Sequence, residues 1–111
     1  MTVLLDLAAM QGVIKMDEAI SLLERALGHE AAGGTAVSPK YITDIGVGAM
    51  RVLVAADARA GYFAMKAYHT LEGVGTRYVV SLYRLSDGEL VALLDGQLIT
   101  DMRTGAASGL A

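Results

Sequence analysis

The chain has no cysteine, which excludes disulfides and thiol chemistry and leaves the compartment open. Only His29 and His69 could act as imidazole ligands, and neither stands in a spacing such as H-x-x-x-H beside a carboxylate. A metal site is therefore not expected. No apolar run approaches the roughly 18 residues that span a bilayer, because charges interrupt every stretch. The N-terminus lacks an early lysine or arginine and carries Asp6 inside its apolar run, which argues against a signal peptide and makes the cytoplasm the default location. Basic residues are few and scattered, nine against twelve acidic, for a net charge of -3. Nothing there attracts a phosphate backbone, so neither nucleic acid nor a membrane is expected as a partner. Also missing are G-x-S-x-G, a P-loop, and a G-x-G-x-x-G that opens a helix after a strand. Gly46-Val47-Gly48 lacks the third glycine and the helical continuation.

What the chain does have is apolar surface. Its 111 residues suffice for one small domain. A hydrophobic fraction of 54% and a mean hydropathy of +0.47 are high for a unit of this size. Some of that surface is expected to meet a partner chain or a further domain.

Thr2 to Leu5 is β-prone, and the alanines and Gly12 leave the local structure of Leu7 to Gly12 ambiguous. Met16, Ile20, Leu23 and Leu27 recur at helical spacing, which predicts an amphipathic helix from about Met16 to Leu27 that Gly28 can end. Ala31 to Thr35, with Gly33-Gly34, reads as a loop. Val37 to Ile42 reads as extended, with Pro39 at an edge or at the start of a strand. Met50 to Ala56 is a β-type run, Asp57 to Gly61 a turn. Tyr62 to Tyr68 alternates, with Tyr62, Ala64, Lys66 and Tyr68 on one face. Glu72 to Thr76 separates it from Tyr78 to Leu85, and Ser86-Asp87-Gly88 turns the chain into Glu89 to Leu94. A last helix is expected to start at Thr100 as N-cap, with Asp101 in its first turn and Arg103 near its positive end. The sum is an α+β fold, a mixed or antiparallel sheet with flanking helices.

Three cations are candidates for chemistry. Lys66 lies in the middle of an alternating strand beside two tyrosines, and either reaches solvent or faces a pocket. Arg103 stands among Gly105, Ala106, Ala107, Ser108 and Gly109, where a carboxylate or phosphate could come close; the plainer reading is a salt bridge to Asp95 or Asp101. Lys40 follows Pro39, where a surface role is the plainer reading. Thr104 and Ser108, one turn apart, can bond a phosphate or the preceding carbonyls. Gly105 and Gly109 suit close helix packing. His69 reads as a partly buried structural histidine.

The order of these pieces resembles the N-terminal half of the ornithine cyclodeaminase and mu-crystallin family. The resemblance rests on M-D-E-A-I-S-L-L-E-R-A-L, G-Y-F-A-M-K-A-Y around Lys66, the S-D-G hairpin, and above all A-L-L-D-G-Q-L-I-T-D-M-R-T-G-A-A-S-G-L-A. It implies a two-domain NAD(P)-dependent enzyme in which residues 1–111 supply the substrate site and the interface of a homodimer, with a Rossmann domain following. The substrate would be an amino acid, an imine or a keto acid, as for ornithine cyclodeaminase, alanine dehydrogenase and the ketimine and pyrroline-carboxylate reductases. The same resemblance makes Lys66 and Arg103 the holders of the substrate carboxylate, with Lys66 also polarising the reacting centre. It gives Lys40 a further carboxylate contact, and places Arg103 and Thr104 where NAD or NADP approaches.

There are departures from the family pattern. Lys40 replaces an arginine, Ala55-Ala56 stands where Met-Pro is usual, and Glu72 to Thr76 lacks the usual proline and asparagine or histidine. The dinucleotide fingerprint and the acidic catalytic base are not within these 111 residues, so the chain alone is expected to be inactive. The alternative is a non-catalytic ligand-binding or oligomerisation module.

Overall fold

A computed structural model describes residues 2–11 and 16–110, and for Met16, Asp17, Ala19, Leu23, Ala106 and Leu110 the backbone only. Among the described residues the chain forms seven strands and three helices. They are β1 (Val3–Leu5), α1 (Leu7–Met10), α2 (Met16–Ala31), β2 (Thr35–Val37), β3 (Tyr41–Asp44), β4 (Gly48–Asp57), β5 (Tyr62–Leu71), β6 (Gly75–Arg84), β7 (Leu90–Asp95) and α3 (Gln97–Leu110). The sheet runs in the order β1-β7-β6-β5-β4-β2, with β3 also paired to β4. All pairings are antiparallel except β1 with β7. This is the expected α+β fold with a mixed sheet.

The long antiparallel strands follow from alternation and from turns at glycine. Gly61 and Gly88 adopt positive φ in the two reversals that flank β5 and β7, where a side chain would be strained. Arg84 bonds Asp87 and Glu89 at 2.9 and 3.0 Å across the β6–β7 turn. Gly48 is needed for a different reason: a Cβ there would run into the Thr70 carbonyl of β5.

Three sequence expectations change. The helix predicted to stop at Gly28 continues to Ala31. It ends in a Schellman arrangement, with Gly33 at φ 79°, its N–H donating to Glu30 and the Gly34 N–H to His29. The apolar positions Met16 and Leu23, and Gly12 before them, lie outside the described side chains and residues; Ile20 is half-buried, while Leu27 is 47% exposed.

The extended run Val37 to Ile42 divides into β2 and β3, both on β4. Ser38 still bonds Val54 through its N–H, and its hydroxyl accepts from the Val54 N–H. Pro39 and Lys40 then leave the ladder before β3 resumes it, which confirms the edge position expected for Pro39.

The last helix starts at Gln97, three residues before the expected cap. The Gln97 N–H is satisfied by the Asp95 carboxylate at 2.9 Å, and Thr100 donates its N–H back to the Gly96 carbonyl. Gly96 is buried, and a Cβ there would lie 2.9 Å from that of Tyr78. That close approach turns β7 into α3. Gly109 meets Ile20 of α2, so the small residues of α3 do serve helix packing.

The buried apolar centre is slight: Met10 and Ala92 are the hydrophobic residues below a tenth exposure among those described. Val37, Tyr41, Ile42, Val47 and Val74 are each more than half exposed. Apolar surface on that scale is what the composition led one to expect.

Candidate functional site

The pleat decides which side chains share a face. In the β4–β5–β6 register, Arg51 is opposite Tyr68, which is opposite Tyr78, and Leu53 is opposite Lys66, which is opposite Val80. Arg51, Lys66, Tyr68 and Tyr78 thus stand on one face of the sheet. It is the face of Ala64 and Leu82, over which α2 and α3 pack. His69, Met50, Val54 and Val79 point to the other face, so His69 takes no part in the cluster.

Tyr68 and Tyr78 stack with centroids 5.2 Å apart. The Lys66 ammonium lies 5.3 Å from the Tyr68 ring and 5.0 Å from the Tyr78 ring, held over both. The Arg51 guanidinium is 5.6 Å from the Tyr68 ring. Lys40, free of the ladder after Pro39, brings its Nζ to 5.9 Å from the same centroid. Three cations therefore gather around one tyrosine, two half-buried and Lys40 exposed. None forms an ion pair with a carboxylate among the described residues, whose ion pairs involve His29 with Asp57 and Arg84 with Asp87 and Glu89. The rings supply cation–π attraction, but only an anion can neutralise the charge.

Sequence reasoning reached Lys40 and Lys66 and missed Arg51. The signal was available: Arg51 is a single charge inside an apolar strand, as Lys66 is. What was not available was the β4–β5 register that places it on Tyr68.

Arg103 lies elsewhere on the same side of the sheet. It is the seventh residue of α3, so it is not at the positive end of the helix as expected. Asp95 and Asp101 are engaged with Gln97 at 2.9 and 3.1 Å, and neither pairs with Arg103. Arg103 lines a cavity of about 330 Å³ with Leu27, Tyr62, Ala64 and Leu82. Ala64 is the neighbour of Lys66 on its face, and Leu82 the neighbour of Val80, so the cavity adjoins the Tyr68 cluster at a distance of about 7 Å along the strand. Thr104 donates its hydroxyl to the Thr100 carbonyl at 3.1 Å and Ser108 to Thr104 at 3.3 Å. Of the two readings for those hydroxyls, the carbonyl bonds are the ones formed.

Asp57 also lines the cavity and is bound by the His29 ring at 2.7 Å. An ionised carboxylate only accepts, so Nδ1 of His29 donates. That bond, reinforced by the N–H groups of Ala60 and Arg59, outweighs burial and holds the Asp57 carboxyl below the usual carboxylate range. The pair fastens the end of α2 to the end of β4.

The comparisons with known proteins agree with this architecture. The model of the ornithine cyclodeaminase/mu-crystallin family matches residues 1–111, and the chain belongs to that family. Alanine dehydrogenase of Archaeoglobus fulgidus is 30% identical over 99% of this chain and 35% of its own length. Among solved structures, an archaeal alanine dehydrogenase dimer with bound NAD superposes with a TM-score of 0.90 at 28% identity, over 99% of this chain and 36% of that one. A Δ1-pyrroline-2-carboxylate reductase of Thermococcus litoralis, in complex with NADH and L-proline, gives 0.89 at 27% identity, over 98% and 36%. The chain thus spans about a third of the length of the relatives it matches.

Proposed function

We propose that this chain is the substrate-binding and dimerisation domain, residues 1–111, of an NAD(P)-dependent oxidoreductase or cyclodeaminase acting on an amino acid or a cyclic imine. The observation that carries the reading is the convergence of Lys40, Arg51 and Lys66 on Tyr68 without a carboxylate partner among the described residues. Such a cluster is complementary to an organic acid. Family membership supplies the reaction class, and relatives whose structures hold NAD or NADH support the cofactor.

In this reading Lys66 grips the substrate carboxylate from the middle of the sheet. The two tyrosines beneath it fix the height of its ammonium and shield one side from water. Arg51 and Lys40 restrain the substrate from the β4 side, so that the α-carbon is held still against the open side of the face. A nicotinamide, when bound there, supplies or accepts hydride at that carbon. Lys66 is also placed to stabilise charge that changes on the imine as the hydride moves. Arg103 and Thr104, on the exposed side of α3, are the residues of this chain that would meet the cofactor. The Arg103 guanidinium, without an ion pair among the described residues, suits a phosphate, while the Thr104 oxygen keeps an acceptor lone pair. Most of the cofactor would be held by another domain, since no dinucleotide fingerprint occurs here.

The face turned away from the helices carries Met50, Val54 and Val79, 38 to 50% exposed, and is the surface this reading assigns to the dimer. The same surface favours the alternative of a non-catalytic oligomerisation module. The two part in a kinetic assay. This chain joined to a family nucleotide-binding domain should oxidise NAD(P)H with at least one of pyrroline-2-carboxylate, pyruvate plus ammonia and a dicarboxylic keto acid plus ammonia. Lys66→Met should weaken substrate binding by about 2 to 5 kcal/mol. A joined protein that binds no cofactor and turns over none of these substrates removes the enzyme.

A further inference from the structure

The charge of the Tyr68 cluster goes further than one carboxylate requires. Resting on the carboxylate-site reading above, we propose that the site selects substrates with two carboxylates, a dicarboxylic α-imino or α-keto acid, and turns away those whose far end is an ammonium. The argument is one of charge balance. Arg51 and Lys66 are half-buried and Lys40 joins them, giving three positive charges within 5.3 to 5.9 Å of one ring centroid and no ion pair to a described carboxylate. A single carboxylate pairs with Lys66 and leaves the half-buried Arg51 uncompensated where the substrate displaces water, while Lys40, exposed at the rim, adds to the positive field. Uncompensated charge in such a place is costly.

The geometry separates the cations into two groups. Lys66 sits toward β6, over both Tyr68 and Tyr78. Arg51 comes from β4, and Lys40 from the segment leading into β3, on the opposite side of Tyr68. Adjacent strands are about 4.8 Å apart, an offset that a four- or five-carbon diacid spans. One carboxylate then meets Lys66, while the other meets the planar fork of Arg51, whose two parallel N–H groups match both oxygens. A diamino acid places its second ammonium against Arg51 and Lys40, where like charges repel.

The test is calorimetric titration of the chain at low ionic strength with succinate, butyrate and L-ornithine. Succinate should bind at least ~10-fold more tightly than butyrate, and the gap should narrow with added salt. Ornithine should bind more weakly than either acid. In Arg51→Gln the ratio of succinate to butyrate affinity should fall toward one, and Arg51→Lys, which keeps the charge and loses the fork, should retain part of it. Circular dichroism of each variant confirms the fold. Equal binding of succinate and butyrate by the unaltered chain overturns the two-carboxylate inference alone. Failure to bind either acid overturns the carboxylate site and this inference with it.

Discussion

Gly48 shows how a single missing side chain positions the cluster. Its Cα faces the Thr70 carbonyl so closely that the β4–β5 register, and with it Arg51 on Tyr68, depends on hydrogen in place of a methyl group. Gly48→Ala should destabilise the chain by about 1 to 3 kcal/mol in urea unfolding, through overpacking against backbone that cannot move aside. Asp57 offers a titration test. Its carboxyl is held low in the folded chain by His29, so it contributes stability that is full above the unfolded carboxylate value, about pH 4, and lost as the pH falls through the lower folded value. Asp57→Asn should melt below the unaltered chain at neutral pH, with the difference vanishing in strong acid. At this scale the sequence was partly legible. Lys40 and Lys66 stood out through proline and alternation, whereas Arg51 needed a partner strand whose register no local pattern discloses.

At the scale of elements, helix ends were the least legible. Gly28 looked like a terminator because glycine commonly is one, but its neighbours continue the helix and a Cβ there would meet nothing within 4 Å. The true end is at Gly33, whose φ of 79° a side chain resists. Opposite effects follow. Gly28→Ala should stabilise by up to about 1 kcal/mol, and Gly33→Ala should destabilise by about 1 kcal/mol. Paired thermal melts would read both signs. The start of α3 was misplaced because Thr100 is a good cap by type, yet Asp95 and the tight passage of Gly96 past Tyr78 begin the helix a turn earlier. Pro39 was read correctly as an edge residue; that it divides one extended run into two strands depends on β4 pairing with both sides of the gap.

For the whole molecule, the class of fold was readable from alternation and turns, and the strand order was not. Adjacent hairpins are local, but the pairing of β1 with β7 joins residues that no nearby pattern connects. The thin buried centre likewise agrees with the apolar composition, which anticipated contact with more protein. If the face carrying Val54 and Val79 is the dimer surface, Val79→Asp should shift the species seen by light scattering from dimer to monomer without loss of secondary structure.

Val3 pairs with Ala92, so β1 can find its place only after β7, far along the chain, has been made. Until β7 has been synthesised β1 has no seat, and until β1 docks the flank of β7 turned away from β6 has no strand beside it. A chain deprived of residues 1–5 would keep that flank bare permanently. Its characteristic failure would then be clumping through open backbone, even if every other strand were correctly laid down.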